Sequence, residues 1–228
     1  MIRYILTFWL AWSGAVMAQE RAVVVELYTS QGCSSCPPAD ALLADLAGHE
    51  GVIPLALHVD YWDYIGWKDS FADPAFTRRQ KAYAHAAGHR TVYTPQMIVG
   101  GSDHIIGAKA MELMKLIERH RKDAAPVHIA LKASGGDLLV SAPPVRGESD
   151  MVVQLVRYTP KAQVAIKRGE LAGHTLTYSN IVRSWERVAE WDGAKPLSLR
   201  LKLSGDLPGV VIIQRKGPGA VLAAARLP

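Results

Sequence analysis

The chain has 228 residues, of which 49% are hydrophobic and 21% are charged, a composition that is typical of a globular protein and excludes a disordered chain. Its two cysteines are too few for a scaffold of this length that disulfides hold together. The net charge of +5 comes from the C-terminal half, but no motif of a nucleic-acid-binding module accompanies it, so we expect no nucleic-acid partner.

The first residues predict export. A basic residue, Arg3, precedes an apolar stretch from Ile5 to Val16, and Ala18 stands at a plausible cleavage site. The stretch is shorter than the roughly 20 residues that a membrane helix needs, although an uncleaved anchor is the alternative. We therefore predict a signal peptide at residues 1–18. The mature chain would then be secreted or periplasmic, without stable membrane insertion, in a compartment that permits disulfides.

The segment from residue 19 to residue 125 predicts an α/β sheet, because strand-like runs alternate with helix-like runs. Apolar and β-branched residues predict buried strands in AVVVELY, VIPLALHVDYW and PQMIVGG. Apolar residues at helical spacing predict helices in PADALLADLAGHEG, DPAFTRRQKAYAHAAGHR and AKAMELMKLIERHRKD. These residues form the first predicted domain.

The segment from residue 126 to residue 228 has a different pattern, with short alternating strands between turns rich in Gly, Pro and Asp. It predicts a mostly antiparallel, β-rich accessory domain. The charge changes from slightly acidic to basic at the same place, which supports a domain boundary between residues 125 and 126.

The two cysteines, Cys33 and Cys36, lie between a predicted buried strand and a predicted helix. A helix N-terminus stabilises a thiolate, and a C-x-x-C at this position is typical of a redox pair. We predict that Cys33 is the exposed thiol that attacks and that Cys36 is the shielded thiol that resolves. Pro37 and Pro38 are favoured at a helix start, so the C-x-x-C turn would lie just ahead of the helix dipole.

Four stretches carry a resemblance to one known family: ELYTSQGCSSCPPAD, HVDYWDYIGWKDSFADPAFTRRQKAYA, VYTPQMIVGG and IKRGELAGHTLTYSNIVR. Together they resemble an uncharacterised bacterial family of secreted thioredoxin-like proteins, the domain-of-unknown-function family DUF 1223. The stretches extend over nearly the whole mature chain. The resemblance implies export and a thioredoxin-like α/β fold with an insertion helix, followed by a mostly antiparallel β-rich unit. It implies no particular substrate.

Thr94 and Pro95 stand immediately before the short predicted strand PQMIVGG. Thioredoxin-fold proteins have a cis-proline at this place, facing the C-x-x-C, and the residue before it contacts the substrate backbone. Cis peptide bonds are rare outside X-Pro, whereas an ordinary trans proline that opens a strand is the alternative. We predict that Thr94 and cis-Pro95 bind substrate.

Glu26 lies in an otherwise apolar run, VVVELY. The resemblance to thioredoxins implies a catalytic role, because their strand before the C-x-x-C has a buried carboxylate that passes a proton to the resolving cysteine. Burial of an unpaired carboxylate is costly and raises its pKa, so such a residue usually has a reason. The alternative is a structural carboxylate that bonds to a neighbouring backbone group or arginine.

Aromatic and acidic residues follow the second predicted strand. Tyr61 and Trp62 lie at its carboxyl end, where ligands gather in open α/β sheets, and we predict that they bind substrate. Packing of these rings onto the sheet is the alternative. Alternation along the strand places His58 and Asp60 on the face opposite Leu57, and both are candidates for polar work near the sulfurs.

We expect a thiol–disulfide oxidoreductase whose partners are protein or small-molecule thiols and disulfides. We expect no cofactor and no metal, and the sequence specifies no oligomeric state. One alternative is a periplasmic protein that binds and delivers Cu(I), since soft sulfur ligands suit that ion. Structural zinc is not expected, because it needs four protein ligands. The other alternative is a redox-inactive binding module in which the disulfide is structural.

Overall fold

The computed structural model describes residues 22–123 and 125–228, so the predicted signal peptide lies outside the described residues. Its elements in chain order are β1 (Val23–Thr29), α1 (Pro37–Leu46), β2 (Val52–His58), α2 (Pro74–Ala86), β3 (Gln96–Val99), β4 (Asp103–Ile106), α3 (Ala110–Lys122), β5 (Ala130–Ser134), β6 (Asp137–Ala142), β7 (Met151–Ala165), β8 (Thr175–Trp191), β9 (Leu197–Lys202), β10 (Gly209–Arg215) and β11 (Val221–Arg226). A short 3-10 turn spans Asp63–Ile65. None of the helices in this part of the chain has the length and apolarity needed to cross a membrane.

A mixed sheet of eight strands is the frame of the fold, in the order β11-β10-β7-β8-β2-β1-β3-β4. β1 runs parallel to β2 and antiparallel to β3, and the long hairpin β7–β8 joins β2 through the pair Ala56 and Ile181. The predicted α/β class is confirmed as a large, mostly β architecture with few helices. Strands from both predicted domains share this sheet, and the division into two domains stays a prediction.

Alternation of side chains along β1 determines which helix covers which face of the large sheet. Val25 and Leu27 pack in an apolar core with α1 and α3. Val24 and Tyr28 pack in a second core with α2. Glu26 has the same parity as these two residues and therefore shares the α2 face. The two faces of β1 are thus both buried, which explains why its sequence is almost continuously apolar.

A second sheet of three strands, β5-β6-β9, packs against the C-terminal part of the large sheet. Leu138 and Val140 of β6 pack with Val153 of β7 and with Val211 and Ile213 of β10 in a third core. All strand pairs of the three-stranded sheet are antiparallel. The antiparallel strands predicted after residue 126 are therefore present, and they build both the small sheet and one side of the large one.

Asn180 marks the place where the hairpin meets β2. Its φ angle is +49°, in the left-handed region that asparagine adopts more readily than most residues with a side chain. Its side-chain amide donates a hydrogen bond of 2.8 Å to the backbone carbonyl of Pro54 in β2. This bond and the pair Ala56–Ile181 together hold the hairpin beside the N-terminal strands.

Replacing Asn180 tests this junction. Asn180→Ala removes the amide donor and places a Cβ in a left-handed conformation, so we expect a loss of about 2–3 kcal/mol in the free energy of unfolding. Asn180→Gly removes the same donor but tolerates the backbone, and we expect a loss of about 1–2 kcal/mol. Chemical denaturation of both variants measures the difference. An alanine variant as stable as the glycine variant would contradict the argument from backbone conformation.

Candidate functional site

The two cysteines lie in the turn that connects β1 to α1, and their sulfurs form a disulfide. Their Cα atoms are 5.4 Å apart. The N–H of Cys36 donates to the carbonyl of Cys33 at 3.1 Å, and the N–H of Cys33 donates to the carbonyl of Ser30 at 3.1 Å. The predicted order of strand, C-x-x-C and helix is therefore present, and the turn is tied directly to the end of β1.

The first turn of α1 begins at Pro37, with the fully buried Cys36 as its N-cap residue. Pro37 and Pro38 have no backbone N–H. The N–H groups of Ala39 and Asp40 both donate to the carbonyl of Cys36, at 2.9 and 3.1 Å. The first turn of the helix therefore offers no free backbone donor to a thiolate. The C-x-x-C turn lies just ahead of the helix, as predicted.

The prediction that Cys33 is exposed is wrong for the disulfide-bonded protein. Cys33 is only 2% exposed, although the adjacent Ser34 is exposed. The physical reason is a segment far along the chain that packs onto the turn. Gly32 lies so close to this segment that a Cβ there would be 3.3 Å from side-chain atoms of both Trp62 and Ile65. The sequence around the cysteines contains no sign of this cover.

The predicted substrate-binding residues Trp62 and Thr94 meet beside the turn. The indole N–H of Trp62 donates to the hydroxyl of Thr94 at 2.7 Å, and the ring of Trp62 stacks on Tyr64 with 6.3 Å between centroids. Tyr64 is 81% exposed, so an aromatic surface extends from the turn into solvent. Tyr61 lies beside them: its ring contacts that of Trp62 with 6.1 Å between centroids, its hydroxyl interacts with Thr94, and it donates to Gln80 of α2 at 3.1 Å.

The peptide bond between Thr94 and Pro95 is cis, as predicted. β3 starts at the next residue, Gln96, which pairs with Tyr28 near the end of β1. Because the cysteine turn follows directly after β1, Thr94 and Pro95 lie at the end of the sheet where the two sulfurs also lie. The structure therefore brings together the turn, the cis bond and Trp62.

Glu26 lies on the α2 face, fully buried, with both carboxylate oxygens occupied. Arg79 donates to them from Nε at 2.7 Å and from Nη2 at 2.8 Å. The hydroxyls of Tyr28 and Tyr83 also donate to this carboxylate, at 2.9 and 2.7 Å. The structure thus has the alternative that the sequence analysis left open, a buried carboxylate bonded to an arginine. Since α1 and Cys36 pack on the opposite face, the structure does not bring Glu26 to the disulfide, and its catalytic role stays a prediction.

Arg79 connects this carboxylate to the C-terminal strands. Its guanidinium stacks on the ring of Trp185 in β8 at 3.8 Å, and its Nη2 donates to Gln214 in β10 at 3.1 Å. Gln154 of β7 completes the connection, because it donates to Gln214 at 2.9 Å and accepts from the indole of Trp185 at 2.7 Å. The network is centred on the fully buried Glu26, includes the half-buried Arg79 and Trp185, and joins α2 and β1 to three strands of the C-terminal half.

A buried polar cluster lies on the α1 face and consists of Thr29, Asp40, His58, Asp69 and Tyr178. The Nδ1 of His58 lies 2.7 Å from a carboxylate oxygen of Asp69, and the ring of His58 contacts that of Tyr178 edge-on at 4.9 Å. Burial raises the pKa of Asp40 to about 7, although His58 and Thr29 oppose this rise. The cluster therefore contains a carboxyl group that changes charge near neutral pH.

The sequence analysis named only His58 from this cluster. Asp40 could have been found, because it stands four residues after Cys36 on the apolar side of the predicted helix. Asp60, the other polar candidate, accepts a bond of 2.5 Å from Thr77 of α2 instead. Tyr178 carries no local signal. Among the described residues, no group of three or more His, Cys, Asp and Glu side chains is placed to hold a metal ion.

Comparisons with other proteins place the chain among relatives. The family model described as "Protein of unknown function (DUF1223)" matches residues 24–214. The chain is similar to the crystal structure of protein AGR_C_4864 from Agrobacterium tumefaciens, with 31% identity, a TM-score of 0.79, and coverage of 92% of this chain and 96% of that one. HBP35 of Porphyromonas gingivalis shares the fold alone, with 16% identity, a TM-score of 0.61 and coverage of 91% and 74%. A comparison with curated proteins finds no match.

Substitution of Arg79 tests how much its ion pair with Glu26 contributes to stability. Arg79→Met leaves the carboxylate of Glu26 buried without its cation, so we expect a loss of about 3–5 kcal/mol in the free energy of unfolding. Arg78→Met, at the exposed neighbouring position, should lose less than about 1 kcal/mol. Adding Glu26→Gln to Arg79→Met should recover part of the loss. Chemical denaturation measures all three, and equal stability of the two arginine variants would contradict the role of Arg79.

Asp40 predicts a dependence of stability on pH. Its pKa is higher in the folded protein, about 7, than in an unfolded chain, so folding favours the protonated carboxyl. This contribution is complete below about pH 4 and is lost as the pH rises through 7. Asp40→Asn does not titrate. Its free energy of unfolding should therefore rise relative to the wild type by about 2–4 kcal/mol between pH 4 and pH 8.

The control for this measurement is Asp45→Asn, an exposed position on the same helix. Its stability should follow the wild type at every pH. Denaturation of the disulfide-bonded proteins at unit steps from pH 4 to pH 8 gives the comparison. A constant difference between the Asp40→Asn protein and the wild type would show that the carboxyl of Asp40 titrates alike in both states.

Proposed function

We propose that this chain, which belongs to the family of proteins of unknown function DUF1223, is an exported thiol–disulfide oxidoreductase that uses Cys33 and Cys36. The observation that carries the proposal is the position of the disulfide. It closes a turn between a buried strand and a helix, and the cis bond before Pro95 lies at the same end of the sheet. Protein or small-molecule thiols and disulfides are the partners that this chemistry takes.

The proposed fold of the redox unit is thioredoxin-like. Three features support it. The strands stand in the order β2-β1-β3-β4, with β1 parallel to β2 and antiparallel to β3. Helices cover both faces of these strands. The cysteine turn follows β1, and a cis-proline opens β3.

In the proposed reaction, the thiolate of Cys33 attacks a substrate disulfide and forms a mixed disulfide, and one substrate thiolate leaves. Cys36 then loses its proton, and its sulfur attacks the sulfur of Cys33. The bond between Cys33 and the substrate breaks, and its electron pair leaves with the second substrate thiolate. The substrate has gained two electrons and the protein has become a disulfide. The reverse sequence oxidises a dithiol.

Two features beside the turn suit a bound polypeptide. The backbone around Thr94 and Pro95 would hold the substrate chain against Cys33, and the surface formed by Trp62 and Tyr64 would support apolar side chains. Because Trp62 also covers the turn through Gly32, we expect the aromatic segment to shift when a substrate reaches the sulfur.

A structural disulfide is the second candidate. The observation that favours it is the burial of Cys33, which is only 2% exposed, since a disulfide that exchanges with substrates needs an accessible sulfur. The reduction potential separates the two candidates. An exchanging pair should have a potential above about −300 mV, whereas an inert staple should lie below it.

Trapping of mixed disulfides tests the proposed roles of the two sulfurs. In Cys36→Ser the resolving thiol is absent, so the variant should accumulate covalent complexes with exported proteins that reductant releases. In Cys33→Ser the attacking thiol is absent, and few complexes should form. Non-reducing electrophoresis of the periplasmic or secreted fraction measures both.

The reactivity of the remaining thiol provides the check. Cys33 in the Cys36→Ser protein should react with iodoacetamide faster at pH 7 than an ordinary thiol, whose pKa is about 8.5. Ordinary reactivity without complexes, together with a potential below about −300 mV, would overturn the proposal in favour of the structural disulfide.

A further inference from the structure

The buried polar cluster collects side chains from five different parts of the fold onto the α1 face. Thr29 ends β1, Asp40 lies in the first turns of α1, and His58 ends β2. Asp69 lies in the loop after β2, and Tyr178 reaches the cluster from β8. Each of these residues is at most 6% exposed. The cluster is therefore an internal site that the fold assembles.

Several atoms of this cluster have no hydrogen-bond partner. Within the described residues they are Thr29 Oγ1, both carboxyl oxygens of Asp40, His58 Nε2 and the hydroxyl of Tyr178. Only one other buried side-chain atom in this part of the chain, Nε of Arg157, shares that state. Buried polar groups are nearly always bonded, so such a concentration calls for a reason other than packing. The Glu26 carboxylate on the opposite face, by contrast, is fully bonded.

One nitrogen of His58 is fixed, and the other is buried without a partner. Nδ1 lies 2.7 Å from Oδ2 of Asp69, and a carboxylate accepts there, so Nδ1 carries the hydrogen. Asp69 is itself held by the backbone N–H groups of Gln31 at 2.7 Å and Phe71 at 2.8 Å. Nε2 is therefore an acceptor, and it has no donor among the described residues.

Asp40 connects the cluster to the disulfide. It follows Cys36 by four residues, and its N–H donates to the carbonyl of Cys36 at 3.1 Å. Residues four apart lie on the same side of a helix, one turn from each other. The first turn of α1 has no free backbone donor for a thiolate, and Asp40 is the titratable side chain that lies one turn from Cys36.

We propose that the carboxylate of Asp40 accepts the proton of the Cys36 thiol and that the His58–Asp69 pair holds that proton, an inference that rests on the oxidoreductase function. When Cys36 resolves a mixed disulfide, its S–H bond breaks and the proton passes to Asp40, directly or through one water. The electron pair left on Cys36 forms the new bond to Cys33. The bond from Cys33 to the substrate breaks, and the substrate leaves as a thiolate that takes a proton from solvent.

The surroundings of Asp40 suit this role at neutral pH. The groups that face it are Cys36 on its own helix, Thr29, His58, Asp69 and Tyr178. Burial raises the pKa of its carboxyl to about 7, so the group both accepts and releases a proton near pH 7. His58 Nε2 receives the proton next, Thr29 lies beside the carboxylate, and the ring of Tyr178 contacts that of His58. The C-terminal half thus contributes to the proton site through Tyr178.

The test follows the resolving step with 5,5′-dithiobis(2-nitrobenzoate) as substrate. Reduced protein in excess releases one coloured thiolate when Cys33 attacks and a second when Cys36 resolves, and stopped-flow absorbance between pH 5 and pH 9 separates the two phases. In the wild type, the second phase should level off above about pH 7. In Asp40→Asn it should be about tenfold to a hundredfold slower at pH 7 and rise with pH towards the pKa of an ordinary thiol, about 8.5.

Matched variants keep the result specific. Asp45→Asn, exposed on the same helix, should leave both phases unchanged, and His58→Gln should slow the second phase alone. Asp40→Glu should restore part of the plateau, since it restores the acid. Circular dichroism and the melting temperature establish that each variant is folded.

The outcomes are distinct. If the second phase of Asp40→Asn matches the wild type in rate and pH profile, or if only its first phase slows, the role of Asp40 is overturned. If the wild type shows no second phase at any pH, the oxidoreductase function itself fails, since Cys36 then does not resolve the mixed disulfide. A slower second phase with a lost plateau in Asp40→Asn, and its partial return in Asp40→Glu, supports the proposal.

Discussion

A carboxylate buried at the centre of β1 is the constraint on which the architecture depends. Glu26 is fully buried, and an ionised carboxylate is tolerated there only with a cation and several hydrogen bonds. Arg79 supplies the cation from α2, and its own burial requires Trp185 and the glutamines of β7 and β10. The charge of Glu26 in β1 is therefore satisfied by contacts with α2 and, through Arg79, with β7, β8 and β10. These contacts link the N-terminal strands to the C-terminal strands of the same sheet.

The large sheet separates two buried polar systems with opposite properties. On the α2 face both oxygens of Glu26 are bonded, to Arg79 and to two tyrosine hydroxyls. On the α1 face, Asp40 and His58 keep atoms without partners close to the start of the helix that carries Cys36. A polar network in which every group is hydrogen-bonded stabilises the fold, whereas groups with unpartnered atoms are able to accept or donate a proton. Under the proposed function, the α2 face has the structural role and the α1 face has the chemical role.

The features that depend on neighbouring residues could be predicted from the sequence. The alternation in β1, the helix start at Pro37 and the cis bond before Pro95 each depend on neighbouring residues, and all could be predicted. The burial of Cys33 could not, because Trp62 and the residues after it cover the turn from a distant segment. The same holds for the cluster around Asp40, to which Tyr178 comes from another strand of the sheet. A contact between residues far apart in the chain produces no periodic pattern in the sequence, so Arg79 could not be identified as the partner of Glu26.

The two prolines that open α1 have a consequence for how this family can vary. In a helix start that binds an anion through its backbone, the strength of binding is set by geometry that every sequence shares. Here Pro37 and Pro38 lack those donors, so under the proposed function the proton of Cys36 depends on the side chains around Asp40. Side chains change with a single codon. If the proposed function holds, relatives could differ in redox behaviour through point substitutions in the interior, while the backbone at the cysteines stays the same.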